Sequence, residues 1–205
     1  MKDIWYGDNR DLVKWSVLLH LTRKYHLEKI IQIAYYRKSN FKTLEIDGVE
    51  HSIPDEIINH FRQVKNIEKL EVEVPIHVFC DIFDNRAAYM EKALNFIKQF
   101  QNSNTLIFLD PDTGLEPKNP SLQHVLECEA KIFYDNLIKG DLFAFYQHQT
   151  NRSGTPWIEP KREQLASALN IDLNNLKVAH GQNIARDVAF FYCRKPQQLA
   201  QQPAC

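Results

Sequence analysis

The residues best able to do chemistry are concentrated in one stretch, Asn104-Thr105-Leu106-Ile107-Phe108-Leu109-Asp110-Pro111-Asp112-Thr113-Gly114-Leu115-Glu116-Pro117-Lys118. Asp110, Asp112 and Glu116 offer three hard oxygen ligands in one short loop. That set suits Mg²⁺ and a metal-dependent nuclease or phosphodiesterase. His148, at the end of a second apolar run, is placed to act as a general base. Simpler roles exist for the same residues. Asp, Pro and Gly after a strand are ordinary turn chemistry, and a lone histidine there serves equally well as a hydrogen-bonding turn residue. Glu116 and Lys118, an acid and a base beyond the turn, tilt the balance toward a site.

Something must hold these groups in place. The apolar run ending at Leu109 is short and bounded by turn residues, which predicts a strand buried on both faces of a parallel sheet. Pro111 cannot donate to a ladder, so the strand stops there. Asp110 and Asp112 then fall at the carboxyl end of a central strand, where open α/β sheets bind ligands. Around it the chain predicts a helix from Asp8 or Asn9 to about Tyr25 and a strand from Lys29 to Tyr36. A hairpin turns at Asp47-Gly48, and a helix opens at Pro54. Ile76–Cys80 is the next strand, followed by a helix capped by Asp84 or Asn85. Residues 121–139 carry a mainly helical pattern closed by Gly140. Asp141–Tyr146 forms a strand, a helix begins at Pro160, and an antiparallel pair runs over Leu176–His180 and Asp187–Arg194. The expected fold class is α/β: a Rossmann-like, mostly parallel sheet with a C-terminal antiparallel pair and helices on both faces.

The chain has 205 residues, 44% of them hydrophobic and 25% charged, which fits one domain over residues 1–195 with a disordered tail at 196–205. Its 25 basic and 26 acidic residues leave a formal charge of −1, so a nucleic-acid partner would need a local basic face. Arg152, Lys161 and Arg162 are the candidates for such a face, with a solvated charged surface as the alternative. Cys80, Cys128, Cys193 and Cys205 lie far apart with no Cys-x-x-Cys pair, which argues against zinc and for reduced thiols in a cytoplasmic protein. No apolar run reaches the roughly 18 residues of a membrane span, and no signal peptide is read at the start.

The strand order resembles that of class I S-adenosylmethionine-dependent methyltransferases. Asp8-Asn9-Arg10-Asp11-Leu12-Val13-Lys14-Trp15 resembles the N-terminal motif of large-subunit ribosomal RNA adenine methyltransferases of the J type. Asp11 and Lys14 stand on that motif's Asp and Lys, Asp8 replaces its Asn, and Trp15 replaces its His. Leu109-Asp110-Pro111-Asp112 is similar to the Asp-Pro-Pro-aromatic motif of amino-group methyltransferases, with Asp112 and Thr113 replacing its last two residues. Cys80-Asp81-Ile82-Phe83 is similar to the Asp-x-Phe segment that holds the cofactor adenine. Three-Cys-motif partner proteins share a comparable layout. Asp-Pro-Asp-x-Gly-Leu-Glu with a later Tyr-Gln-His also resembles a group of bacterial proteins without an assigned activity.

The resemblance implies S-adenosylmethionine as cofactor, with Asp8, Asp11, Lys14 and Asp81 at its site. It also implies that Asp110 and Pro111 accept hydrogen bonds from an amino group of a nucleic-acid base, with Asp112 and His148 beside them. Where these methyltransferases carry a glycine-rich loop after the first strand, this chain has Ala34-Tyr35-Tyr36-Arg37-Lys38-Ser39-Asn40. Large side chains there would fill the space that a nucleoside needs. Three readings therefore stay open: an amino methyltransferase, a Mg²⁺-dependent nuclease in which Glu116-x-Lys118 resembles a restriction-type pair, and a catalytically inactive member of the fold. The last would act as a binding subunit, with a protein partner or as a homodimer.

Overall fold

A computed structural model describes residues 7–38, 42–100, 104–149, 151 and 154–196. Helix α1 (Asn9–Tyr25) leads into strand β1 (Lys29–Ile33), and β2 (Thr43–Ile46) with β3 (Val49–Ser52) form a separate hairpin. Helix α2 (Asp55–Phe61) and a 3₁₀ segment (Val64–Lys69) precede β4 (Ile76–Phe79) and α3 (Arg86–Lys98). Next come β5 (Thr105–Leu109), the two-residue strands β6 (Gly114–Leu115) and β7 (His124–Val125), and α4 (Glu127–Asp135). The chain closes with β8 (Leu142–His148), α5 (Ile158–Leu169), β9 (Lys177–Gly181) and β10 (Ala185–Arg194).

Six strands form the central sheet in the order β4-β1-β5-β8-β10-β9. Neighbours from β4 to β8 are parallel, whereas β10 runs antiparallel to both β8 and β9. This is the expected α/β sheet, mostly parallel with a C-terminal antiparallel pair and helices on both faces. On one face, Ile31, Ile107, Phe143 and Phe191 pack with residues of α3, α4 and α5. On the other, Ile30, Leu106, Ala144 and Phe190 pack with Val13, Leu18 and Leu21 of α1. Side-chain alternation along each strand feeds both layers, which is why these strands read as continuous apolar runs.

Three local expectations change. β1 stops at Ile33 instead of reaching Tyr36, because Tyr35 turns the backbone to a φ of +42°. Helix α4 begins at Glu127, later than the periodicity predicts, because the preceding residues pair with the Asp110 loop. Thr113 N–H donates to the Gln123 carbonyl and Glu116 N–H to that of Val125. Gly140 is not a helix terminus, since α4 has already ended at Asp135. It sits in the turn before β8 with a φ of +96°, where a Cβ would lie 2.4 Å from Asn104 Oδ1. Among the described residues, no helix is long and apolar enough to cross a membrane. The residues from 197 onward, most of the expected tail, lie outside the described ones.

Candidate functional site

Strand alternation decides which polar groups meet. Leu106 and Phe108 of β5 face α1, so Asp110, the next residue in that series, projects to the same side. Gln32 of β1 and Tyr146 and His148 of β8 share that side. Above them lies the first turn of α1. Asp8 caps this helix, its Oδ1 accepting the N–H groups of Arg10 at 2.8 Å and Asp11 at 3.1 Å.

Lys14, two turns into the helix, is 4% exposed and reaches down to the sheet. Its Nζ is 2.6 Å from Asp11 Oδ1 and 2.9 Å from Asp110 Oδ2, and it lies 5.5 Å from the centre of the Tyr146 ring. Burial works against this ammonium, but Asp110 and Asp11 outweigh it, and its pKa rises above the ordinary lysine value. Burial also pushes the Asp110 carboxyl up, and Lys14 pulls it back. Gln32 Nε2 donates to the same Asp110 oxygen at 2.6 Å, and Gly7 N–H donates to Asp11 Oδ2 at 2.6 Å. These charge-assisted bonds tie Asp11, Lys14 and Asp110 into one triad. Gln32 Oε1 is buried and has no hydrogen-bond partner among the described residues.

The triad is the floor of a pocket of about 210 Å³ lined by Asp8, Arg10, Asp11, Lys14, Asp110, Pro111, Asp112, Thr113, Tyr146 and His148. Its rim is an ionic chain. Arg10 Nη1 meets Asp8 at 2.9 Å, and its Nη2 meets Asp187 of β10 at 2.6 Å. His148 Nε2 lies 3.1 Å from the same Asp187 oxygen, while its Nδ1 lies 3.0 Å from the Gln149 carbonyl. Burial raises the Asp187 carboxyl, but Arg10 and His148 bring it below its usual range. Both nitrogens of His148 face oxygen atoms, so the ring is already committed as an anchor for Asp187.

The structure thus brings Asp8, Asp11, Lys14, Asp110, Pro111, Asp112 and His148 into one pocket. It leaves other predicted residues elsewhere. Asp81 is exposed and pairs with Lys92 at 3.3 Å, away from the pocket. Glu116 Oε1 accepts the Glu127 N–H at 2.6 Å and so anchors the start of α4. The grouping of Asp110, Asp112 and Glu116 as Mg²⁺ ligands is corrected accordingly. Asp110 is held by Lys14, Asp112 by Arg37, and Glu116 by α4. Among the described residues, no three His, Cys, Asp or Glu side chains are grouped to hold a metal. Lys161 donates to the carbonyls of Leu115 and Glu116, and Arg162 to those of Leu173 and Leu176, so both brace α5. Arg152 lies outside the described residues.

Gln32, Arg37 and Asp187 shape the site without being marked by a motif, whereas Arg10 and Tyr146 stand inside the Asp8–Trp15 and Tyr-Gln-His stretches. Gln32 had a signal of its own, as the lone polar residue within the apolar run Ile30-Ile31-Gln32-Ile33. A polar side chain inside a doubly covered strand needs a partner.

β4 lies on one side of β1 and β5 on the other, so the topological switch point is between β1 and β5. The crevice expected there is bridged. Arg37, just beyond β1, pairs with Asp112, just beyond β5, with its Nε 2.8 Å from Asp112 Oδ2. None of residues 34–38 or 80–85 lines the pocket, which lies one strand further on, over β5 and β8.

No family model matches the chain, and no curated protein matches it in sequence. A crystal structure from Thermobifida fusca YX, of a protein provisionally assigned as a methyltransferase, is similar in fold at 12% identity. The match has a TM-score of 0.47 and covers 92% of this chain and 80% of that one. At this level the likeness adds nothing to what the strand order already states.

Proposed function

We propose that this protein binds the amino group of a nucleic-acid base, or of a similar small planar molecule, in the pocket between α1, the Asp110–Thr113 loop and the tip of β8. The observation that carries this reading is the composition of the pocket. Four carboxylates, those of Asp8, Asp11, Asp110 and Asp112, line it against two cations, Arg10 and Lys14. Arg37 holds Asp112 from outside the pocket, yet a carboxylate oxygen can accept more than one hydrogen bond, so this lining favours a ligand that brings N–H donors. Size supports a small group. About 210 Å³ is below the roughly 300–1,000 Å³ of pockets for drug-sized ligands. The likeness of Asp110-Pro111 to the motif of amino-group methyltransferases points the same way.

A calorimetric titration tests it. Adenosine and cytidine, which carry the exocyclic amino group, should bind, and inosine and uridine, which carry a carbonyl there, should bind at least about tenfold more weakly. Asp110→Asn should remove the discrimination. Equal binding of the amino and carbonyl nucleosides, or none of either, would sink the reading.

Methyl transfer to that amino group is the second reading. It is favoured by one observation: the two separate stretches resembling methyltransferase motifs, Asp8–Lys14 and Asp110–Pro111, supply the walls of a single pocket. Radiolabelled methyl incorporation into amino-bearing oligonucleotides is its direct test, and incorporation at background level would count against it.

A further inference from the structure

We infer that side chains of this protein occupy the place where its type of fold seats the nucleoside of a cofactor, so that the pocket operates without S-adenosylmethionine. Open α/β sheets bind such groups outside the carboxyl ends of the strands flanking the switch point, where glycine lets the backbone approach the ligand. Here every one of those approaches is already taken. Tyr35 adopts the left-handed φ of +42° that glycine would otherwise serve. A non-glycine residue in that region is strained, and persists only when its surroundings hold it there. Tyr35 is 1% exposed, and its ring centre lies 4.9 Å from that of Phe83 and 5.2 Å from that of Tyr89.

Hydrogen bonding closes the same space. The Tyr35 N–H, a donor that a bound ligand would meet in an open loop, donates to Tyr89 Oη at 2.8 Å. The Phe83 N–H donates to the Tyr36 carbonyl at 2.7 Å, and Tyr36 and Ile82 form a parallel bridge beyond the ends of β1 and β4. These two loops would have to separate to admit a nucleoside. On the other side of β1, Arg37 and Asp112 span the crevice. Asp81, at the position matching an adenine-holding acid, points outward to Lys92. Rings fill the volume, Tyr89 supplies the acceptor, and the ion pair supplies the lid.

The inference concerns the space beyond the carboxyl ends of β4, β1 and β5; it stands apart from the ligand proposed for the neighbouring pocket, and it excludes the methyl-transfer reading of that pocket. The test is titration of the full chain with S-adenosylmethionine and S-adenosylhomocysteine, read by calorimetry and by thermal shift, for the wild type and for Arg37→Ala. Neither should show heat or a rise in melting temperature up to about millimolar ligand. Saturable binding by the wild type would overturn the inference. Binding by Arg37→Ala alone would overturn it too, since the ion pair would then be a gate over a working cofactor site. Hydrogen exchange gives a readout independent of any ligand. Tyr89→Phe should speed exchange of the Tyr35 amide by on the order of tenfold. Unchanged exchange in a folded Tyr89→Phe protein would refute the role given to the Tyr89 hydroxyl. These results leave the nucleoside discrimination at the neighbouring pocket free to succeed or fail separately.

Discussion

Lys14 is the side chain on which the pocket floor depends. An unpaired ammonium with 4% exposure would be costly to bury, and Asp11 and Asp110 compensate it from two sides. Lys14→Met removes the cation and leaves two buried carboxylates facing each other. We expect a loss of about 3–5 kcal/mol of stability in urea denaturation. Lys14→Met combined with Asp110→Asn should recover part of that loss, because fewer buried charges are left unpaired. An equal loss in the single and double variants would show that the triad is not a coupled unit. The types of these residues could be read from sequence, since Asp11 and Lys14 stood in one stretch and Asp110 in another. Their meeting could not, because 96 positions separate Lys14 from Asp110. The same holds for Asp112. Nothing in Asp-Pro-Asp distinguishes a metal ligand from the partner of Arg37, and only the folded chain brings Arg37 to it.

At the scale of elements, helix α1 is both a covering for the sheet and a wall of the pocket. Asp8 ends it, with an extended backbone at φ −82° and ψ −179° and a side chain that accepts two of the first helical N–H groups. Asp8→Ala should therefore cost about 1 kcal/mol, seen as a lower melting temperature, while Asp8→Asn retains most of the cap. If Asp8→Ala melts with the wild type, the cap contributes nothing and Arg10 alone orients the helix start. This boundary was legible because capping chemistry is local, acting over a few residues. The ends of β1 and α4 were not. β1 reads as apolar and aromatic through Tyr36, yet Tyr35 leaves the sheet to pack against Phe83 and Tyr89. Residues 121–126 fit a helical period, yet His124 and Val125 pair with Gly114 and Leu115. In both places a contact distant in sequence overrides a local preference.

The whole molecule separates into a sheet with its covering helices and an appended hairpin. Among the described residues, β2 and β3 pair only with each other, and every residue in them is exposed. The turn between them has positive φ at Asp47 (+53°) and Gly48 (+77°), the geometry of a tight two-residue loop. An isolated two-stranded hairpin contributes little stability of its own. Replacing residues 42–52 with a short glycine-serine linker should therefore leave a single cooperative unfolding transition, with a melting temperature within a few degrees of the wild type. A loss of cooperativity in calorimetry would show that the hairpin is integral to the core. By itself, the sequence determined the α/β class, the buried central strands, the antiparallel ending and the placement of Asp110 at a strand tip. Each follows from periodicity, propensity or turn chemistry, which act along a few neighbouring residues. Tertiary structure alone decided that Asp110, Asp112 and Glu116 serve three different partners, that Gln32 and Lys14 share one Asp110 oxygen, and that aromatic rings pack beyond the ends of β1 and β4. Those outcomes depend on the order of strands in the sheet, which brings together charges and rings that the chain keeps far apart.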